Sequence, residues 1–243
     1  MKNMNKLILI GCLTLTVACR SALPRVESAP RAATLTPPAP ATATLAGSAT
    51  PTASPPPLYF TEEFDTPSSF WEFFQTGGMD TPLTSFENGI IRIDMPASDT
   101  WILGIHNAHT YSNILLTAKS SASPTGSIGL VCRYDESKGW FEFNIASDGT
   151  YSVLIGQWLA PGVAQYKPIA TNPTRQLEAG KLDHEFGLSC QDNYLILYMN
   201  GKLLKKLDIE RFELTEGNIG IAAASFNDTP MYAFFEWFKV EEP

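Results

Sequence analysis

The sequence predicts an all-β fold, a two-sheet antiparallel jelly-roll sandwich of about 12–13 strands, preceded by a signal peptide and a disordered linker. Three observations carry that expectation. From Leu58 onward, apolar residues alternate with polar or small ones at a period of two. Turn dipeptides such as Asn-Gly and Asp-Gly separate the alternating runs. Only one short stretch, residues 174–181, permits a helix. No fixed-period repeat suggests a propeller.

The first 57 residues stand apart. They hold no Phe, Trp or Tyr, whereas all 27 aromatics fall in residues 58–243. A globular core needs large apolar side chains, so the first quarter of the chain is excluded from it. Residues 1–6, MKNMNK, are short and basic, and residues 7–18, LILIGCLTLTVA, are apolar and end on small residues. That is the layout of a secretory signal, and it is too short to span a bilayer. Thr16-Val17-Ala18 then precede Cys19, an arrangement that resembles the bacterial lipoprotein signal. Lipidation of Cys19 would follow removal of residues 1–18, anchoring the chain at the cell envelope or cell surface.

Residues 19–57 continue as the lipidated Cys and a linker rich in Pro, Thr, Ala and Ser; nine of the chain's 18 prolines lie between Pro24 and Pro57. Such a segment buries too little apolar surface to offset its ordering entropy. Extended at about 3 Å per residue, it reaches roughly 100 Å and reads as a stalk. Lys2, Lys6, Arg20, Arg25 and Arg31 against Glu27 give this quarter +4, so the remainder of the −8 chain carries −12. A domain this acidic repels polyphosphate and anionic headgroups, which excludes nucleic acid as its natural partner.

Residues 58–243 form one domain. Ile128, Leu130, Cys132 and Tyr134 share one predicted face, Phe141, Phe143 and Ile145 another, then Phe186, Leu188 and Cys190, and Leu195, Leu197 and Met199. Turns are expected at Glu87-Asn88-Gly89, Ser147-Asp148-Gly149, Gln191-Asp192-Asn193, Asn200-Gly201 and Glu216-Gly217-Asn218. Once Cys12 and Cys19 are assigned to the signal and the anchor, Cys132 and Cys190 remain, both on apolar strand faces. An even pair in an exported chain suggests a disulfide, against the plainer reading of two buried thiols.

Several segments recur in a familiar order: Gly129-Leu130-Val131-Cys132-Arg133-Tyr134, Trp140-Phe141-Glu142-Phe143-Asn144-Ile145, Leu195-Ile196-Leu197-Tyr198-Met199-Asn200-Gly201, Gly217-Asn218-Ile219-Gly220 and Phe235-Glu236-Trp237-Phe238. Their order resembles the concanavalin A-like lectin/glucanase superfamily, in particular laminin-G-like and 3-keto-disaccharide-hydrolase-like domains. The resemblance implies a jelly roll with a concave face that commonly holds carbohydrate. It does not choose among binders and enzymes.

Candidate chemistry is sparse. Glycoside hydrolysis needs two carboxylates at a set separation. The Glu-x-Asp-x-x-Glu motif of laminarinase-type members is absent, and Glu142 is the sole acid of its strand, with Glu185 and Glu236 on other strands. No Gly-x-Ser-x-Gly is present. His106 and His109 read as loop or edge histidines. Calcium is the one candidate cofactor, through loop acids such as Asp65 and Asp228, although no Asp-x-Asp-x-Asp spacing unites them. Aromatics give the best lead, because sugar CH faces stack on Trp and Tyr. The candidate ligand-binding set is Arg133, Trp140, Glu142, Asn144, Tyr151 and Trp158, the last in what reads as an exposed loop, residues 156–162. The leading expectation is a lipid-anchored, monomeric, non-catalytic carbohydrate-binding protein. A glycoside or keto-sugar hydrolase is the alternative, with Glu142 as catalytic acid, and a structural or protein-interaction module is the third reading.

Overall fold

The computed structural model describes residues 54–123, 125–177, 180 and 183–243. The signal, Cys19 and the linker up to residue 53 lie outside the described residues. So does part of the helix-permissive stretch, whose described start, Thr174 to Leu177, forms a turn.

Fifteen strands are described: β1 (Phe60–Glu62), β2 (Trp71–Gly77), β3 (Leu83–Glu87), β4 (Ile90–Met95), β5 (Thr100–Tyr111), β6 (Ile114–Ala122), β7 (Ser127–Asp135), β8 (Gly139–Ala146), β9 (Thr150–Ala160), β10 (Val163–Pro173), β11 (Asp183–Gln191), β12 (Tyr194–Met199), β13 (Lys202–Asp208), β14 (Gly217–Ala224) and β15 (Met231–Glu241). A single 3-10 turn, Glu210–Phe212, interrupts them. Strands beyond the 12–13 expected include three-residue β1, too short to show alternation.

The strands form two antiparallel sheets. One has the order β13-β12-β11-β6-β15-β4-β3, with β1 also pairing β15; the other runs β10-β9-β8-β7-β14-β5-β2. The hairpins follow from local chemistry. Asn88-Gly89 and Asn200-Gly201 take positive φ at both turn positions, 54° and 75° in the first and 48° and 72° in the second, which matches the twist of the flanking strands. Glu216-Gly217-Asn218 is not a turn. Gly217 opens β14 against β7, where a Cβ would collide with the Arg133 and Tyr134 backbone, and a register shift between Asn218 and Gly220 makes a bulge.

Between the sheets lies the main core. Phe141, Phe143 and Ile145 of β8 and Ile128, Leu130 and Cys132 of β7 meet Phe186, Leu188 and Cys190 of β11 and Leu195, Leu197 and Met199 of β12, all buried. Each such large side chain contributes about 1.5–3 kcal/mol by leaving water. The expected disulfide forms: Cys132 and Cys190, 58 residues apart in sequence, join β7 to β11 across the two sheets.

Immediately after Cys132 the β7–β8 register shifts, and Arg133 adopts a left-handed φ of 53°. Its buried guanidinium donates to the carbonyl oxygens of Ser112 (2.9 Å), Asp192 (2.8 Å) and Leu214 (2.7 Å), tying together three loops at one end of the sandwich.

His106 departs from the loop-or-edge reading. It sits mid-strand in β5, fully buried among the rings of Phe60, Phe70 and Trp71. Burial, with a smaller contribution from His109, lowers its pKa to about 4. The unfolded chain therefore binds a proton near 6.5 that the folded chain refuses until about 4. This site's contribution to stability is complete above pH 6.5 and is lost as pH falls toward 4. His106→Phe is expected to melt with a shallower decline between pH 7 and pH 4, the difference from wild type reaching about 3 kcal/mol in denaturant titrations. In the same assay at pH 7, reduction of Cys132–Cys190 is expected to cost about 4 kcal/mol, the loop-closure value for a ring of this size.

Candidate functional site

The seven-stranded sheet curls until its edge strands approach each other, and the Ala164 N–H of β10 donates to the Thr76 Oγ1 of β2 at 3.1 Å. Its concave face faces away from the main core and is itself filled. Leu103, Ile105, Val131, Tyr134, Trp140 and Ala222 form a second buried cluster, with Phe74, Trp158, Ala164 and Tyr166 packed against it. Trp140 has no exposed surface and lies over Gly156 of β9, where any Cβ would collide with the indole. The expected open concave face is thus largely replaced by packed aromatics.

This placement divides the six predicted ligand-binding residues. Trp140, Glu142 and Asn144 share the concave face, as alternation along β8 requires, but all three are buried and present no surface to a ligand. Arg133 is held by the three backbone carbonyls and is also buried. Tyr151 faces the opposite way, into the main core, where its ring meets Phe143 at 6.3 Å. Of the six, Trp158 lines an open pocket. It is not on a loop: β9 runs through Ala160, so the turn contracts to Pro161 and Gly162.

Glu142 carries a buried carboxyl on the concave face. Its carboxylate accepts the Asn144 Nδ2–H at 2.7 Å and the Trp140 Nε1–H at 3.2 Å. Burial outweighs these donors and raises the pKa. No carboxylate is among the groups acting on it. Glu185 and Glu236 are exposed on the other sheet, so neither makes an acid pair with it. Nearby, the Tyr166 hydroxyl is pushed well above its usual range by burial and then by Glu142. The weak calcium candidates do not converge either. Asp65 neighbours Gly89 in the β3–β4 turn, while the Asp228 carbonyl binds Thr125 at the opposite end of β4. Among the described residues no group of three His, Cys, Asp or Glu side chains is placed to hold a metal.

The open pocket lies where the curl gapes, between β2 and the β9–β10 hairpin. It has a volume of about 450 Å³ and is walled by Phe74, Tyr134, Trp158 and Leu159, with Gln75 and Glu136 supplying polar groups. That combination of apolar wall and few polar groups is usual for small-molecule sites. The rings are mutually fixed. Phe74 lies 6.0 Å from Tyr134 and 6.1 Å from Trp158, and the Trp158 Nε1–H donates to the Tyr134 hydroxyl at 3.0 Å. Gln75 is anchored by bonds to the Gly77 and Asp80 carbonyls, both 3.1 Å. Phe74 and Tyr134 were missed by sequence reasoning. The Phe73-Phe74 pair, which sends one ring to each face of β2, was a usable signal for Phe74. None existed for Tyr134, because period-two counting puts it on the core face with Cys132 and the shift at Arg133 turns it to the concave face.

No protein-family model and no curated protein matches the sequence. Solved structures do match the fold. The β-glucanase of Bacillus licheniformis superposes with a TM-score of 0.52 at 14% identity, covering 76% of this chain and 98% of that one. The laminarinase catalytic domain of Thermotoga maritima gives 0.52 at 13% identity, covering 76% and 98%. A glycoside hydrolase family 16 endo-glucanase of Bacteroides ovatus gives 0.53 at 10% identity, covering 75% and 99%. The fold is the concanavalin A-like jelly roll. At these identities the likeness extends to architecture and no further.

The raised pKa of Glu142 has a measurable sign. The unfolded chain releases this proton near 4.5 and the folded chain keeps it to higher pH, so the group increasingly opposes folding as pH rises through that window. Glu142→Gln is therefore expected to gain stability relative to wild type between pH 4 and pH 8. Urea melts at three pH values check it; a constant difference would mean that the carboxyl titrates normally.

Proposed function

We propose that this is an exported lipoprotein, anchored through Cys19 and held off the envelope by its linker, whose jelly-roll domain binds carbohydrate without hydrolysing it. The reading is supported above all by the open aromatic pocket. Trp158 and Phe74, backed by the buried Tyr134, offer rigid faces on which the CH face of a pyranose stacks, and Gln75 and Glu136 stand at hand for its hydroxyls. The rings are locked by one another, so little side-chain entropy is lost when a sugar is bound. A neighbour in fold, the Bacteroides ovatus endo-glucanase, is described in complex with the oligosaccharide G4G3G-2F-DNP. That supports saccharide as the ligand class here.

Binding without hydrolysis accords with Glu142. It is buried under Trp140, away from the pocket mouth, and no carboxylate acts on it. Hydrolysis by the two-carboxylate route needs a partner acid and a sugar between the two. The −12 charge of residues 58–243 accords with a ligand that is not nucleic acid.

The full chain and its Trp158→Ala variant, applied to a glycan array and to polysaccharide pull-downs, test the reading. Wild type is expected to retain at least one glycan class. Trp158→Ala should weaken that binding at least about tenfold while its melting curve stays within a few degrees of wild type. Absence of binding to every glycan, or undiminished binding by the variant, would overturn it.

A further inference from the structure

The aromatic pocket does not end at Tyr134. Tyr134 and Glu136 also line a second, polar recess of about 520 Å³, whose other walls include Thr110, Asp135, Ser137, Glu216 and Asn218. The two spaces adjoin at these shared residues, and the groove they outline is apolar at the hairpin end and acidic at the other.

The charge of this groove is one-sided. Three carboxylates line it and no Lys or Arg does. Asp135 is already engaged: its carboxylate accepts the Ser137 hydroxyl at 2.6 Å and the backbone N–H groups of Ser137 and Lys138, and Lys138 Nζ stands 3.5 Å away. These bonds hold its pKa below the usual carboxylate value. Glu136 and Glu216 have no ion-pair partner among the described residues. Between the two halves sits Tyr134, 7% exposed, whose oxygen accepts the Trp158 N–H. Among the described residues no hydrogen bond takes up its phenol proton, so the hydroxyl remains a donor at the junction. Burial, and the fields of Glu136, Glu72 and Asp135, raise its pKa.

A neutral sugar uses the stacking half and leaves the acidic half to water. A uronic or sulfated sugar meets repulsion there, and a sugar carrying a cation uses both halves. We propose that the groove is an amino-sugar site, taking saccharides with protonated 2-amino groups: Trp158 and Phe74, backed by Tyr134, stack the pyranose ring, and Glu136, with Glu216 beyond it, receives the ammonium. This rests on the carbohydrate reading and narrows it. The aromatic faces add to the attraction, since a cation within about 6 Å of a ring centroid is drawn to it. The overall negative charge of the domain concentrates cationic ligands nearby, an effect that weakens with salt.

Titration calorimetry of the full chain at pH 5.5 with three tetrasaccharides of the same linkage tests it: the glucosamine tetramer, its fully N-acetylated form, and the cellotetraose that lacks the nitrogen. The glucosamine tetramer is expected to bind at least about fivefold more tightly than the other two, the effect of one or two surface charge pairs. The preference should shrink at high salt and disappear in Glu136→Gln/Glu216→Gln. Glu236→Gln removes an exposed charge from the other sheet and should keep it. Equal binding of all three tetramers would overturn the amino-sugar assignment and leave the carbohydrate reading standing. Equal loss in Glu236→Gln would overturn it too, by reducing the preference to net charge. Binding of none of the three, together with an empty glycan array, would remove the carbohydrate reading itself.

Discussion

The left-handed bend at Arg133 is the constraint on which the rest of the molecule depends. A non-glycine residue at positive φ carries strain, and a buried guanidinium costs free energy unless its N–H groups are met. Both are offset by the same contacts, the carbonyls of Ser112, Asp192 and Leu214. Three consecutive residues then go to three places. Cys132 points inward to the inter-sheet disulfide, Arg133 gathers the loops at one end, and Tyr134 turns to the concave face. Without the bulge, strict alternation would bury Tyr134 in the main core beside the disulfide and take one wall from the groove.

Curling the second sheet makes both of its faces interior. This accounts for β8, in which seven successive residues from Gly139 to Ile145 are buried. Phe141 and Phe143 pack in the sandwich; Trp140, Glu142 and Asn144 pack inside the curl. Gly156 and Gly129 make this close approach feasible by giving up side chains where the Trp140 indole and the Asn144 amide lie. Closing the concave face leaves open space at its margin, where the hairpin of β9 and β10 meets β2.

The sheets were legible in the sequence because their signals are local. Period-two runs, Asn-Gly turns and one even pair of cysteines need no knowledge of distant residues, and the strands, hairpins and disulfide they imply are present. The site was legible only at Trp158, on a hairpin whose exposure could be guessed. Its companions depend on long-range geometry. Tyr134 arrives through a register shift, and Phe74 arrives because the sheet curls. Glu142 and Asn144 were placed correctly on one face, but whether that face is open is set by strand twist summed over seven strands. Tyr151 does not join them, because β9 pairs it with core-facing Ile145.

The short strand β1 has a mechanical consequence. It is the first described strand, and its three residues pair with the far end of β15, Phe60 opposite Val240. Just ahead of it, the Pro56 carbonyl is bonded to His109 and the Leu58 carbonyl to the Tyr111 hydroxyl, both on β5. A pull on the preceding chain meets these few bonds before it meets the rest of the sheets. The disulfide between Cys132 and Cys190 lies beyond them in the chain. On the proposed anchored arrangement, drag on a captured ligand would lengthen the tether by a few residues before it reaches the groove, giving the domain a small shock absorber at its point of attachment.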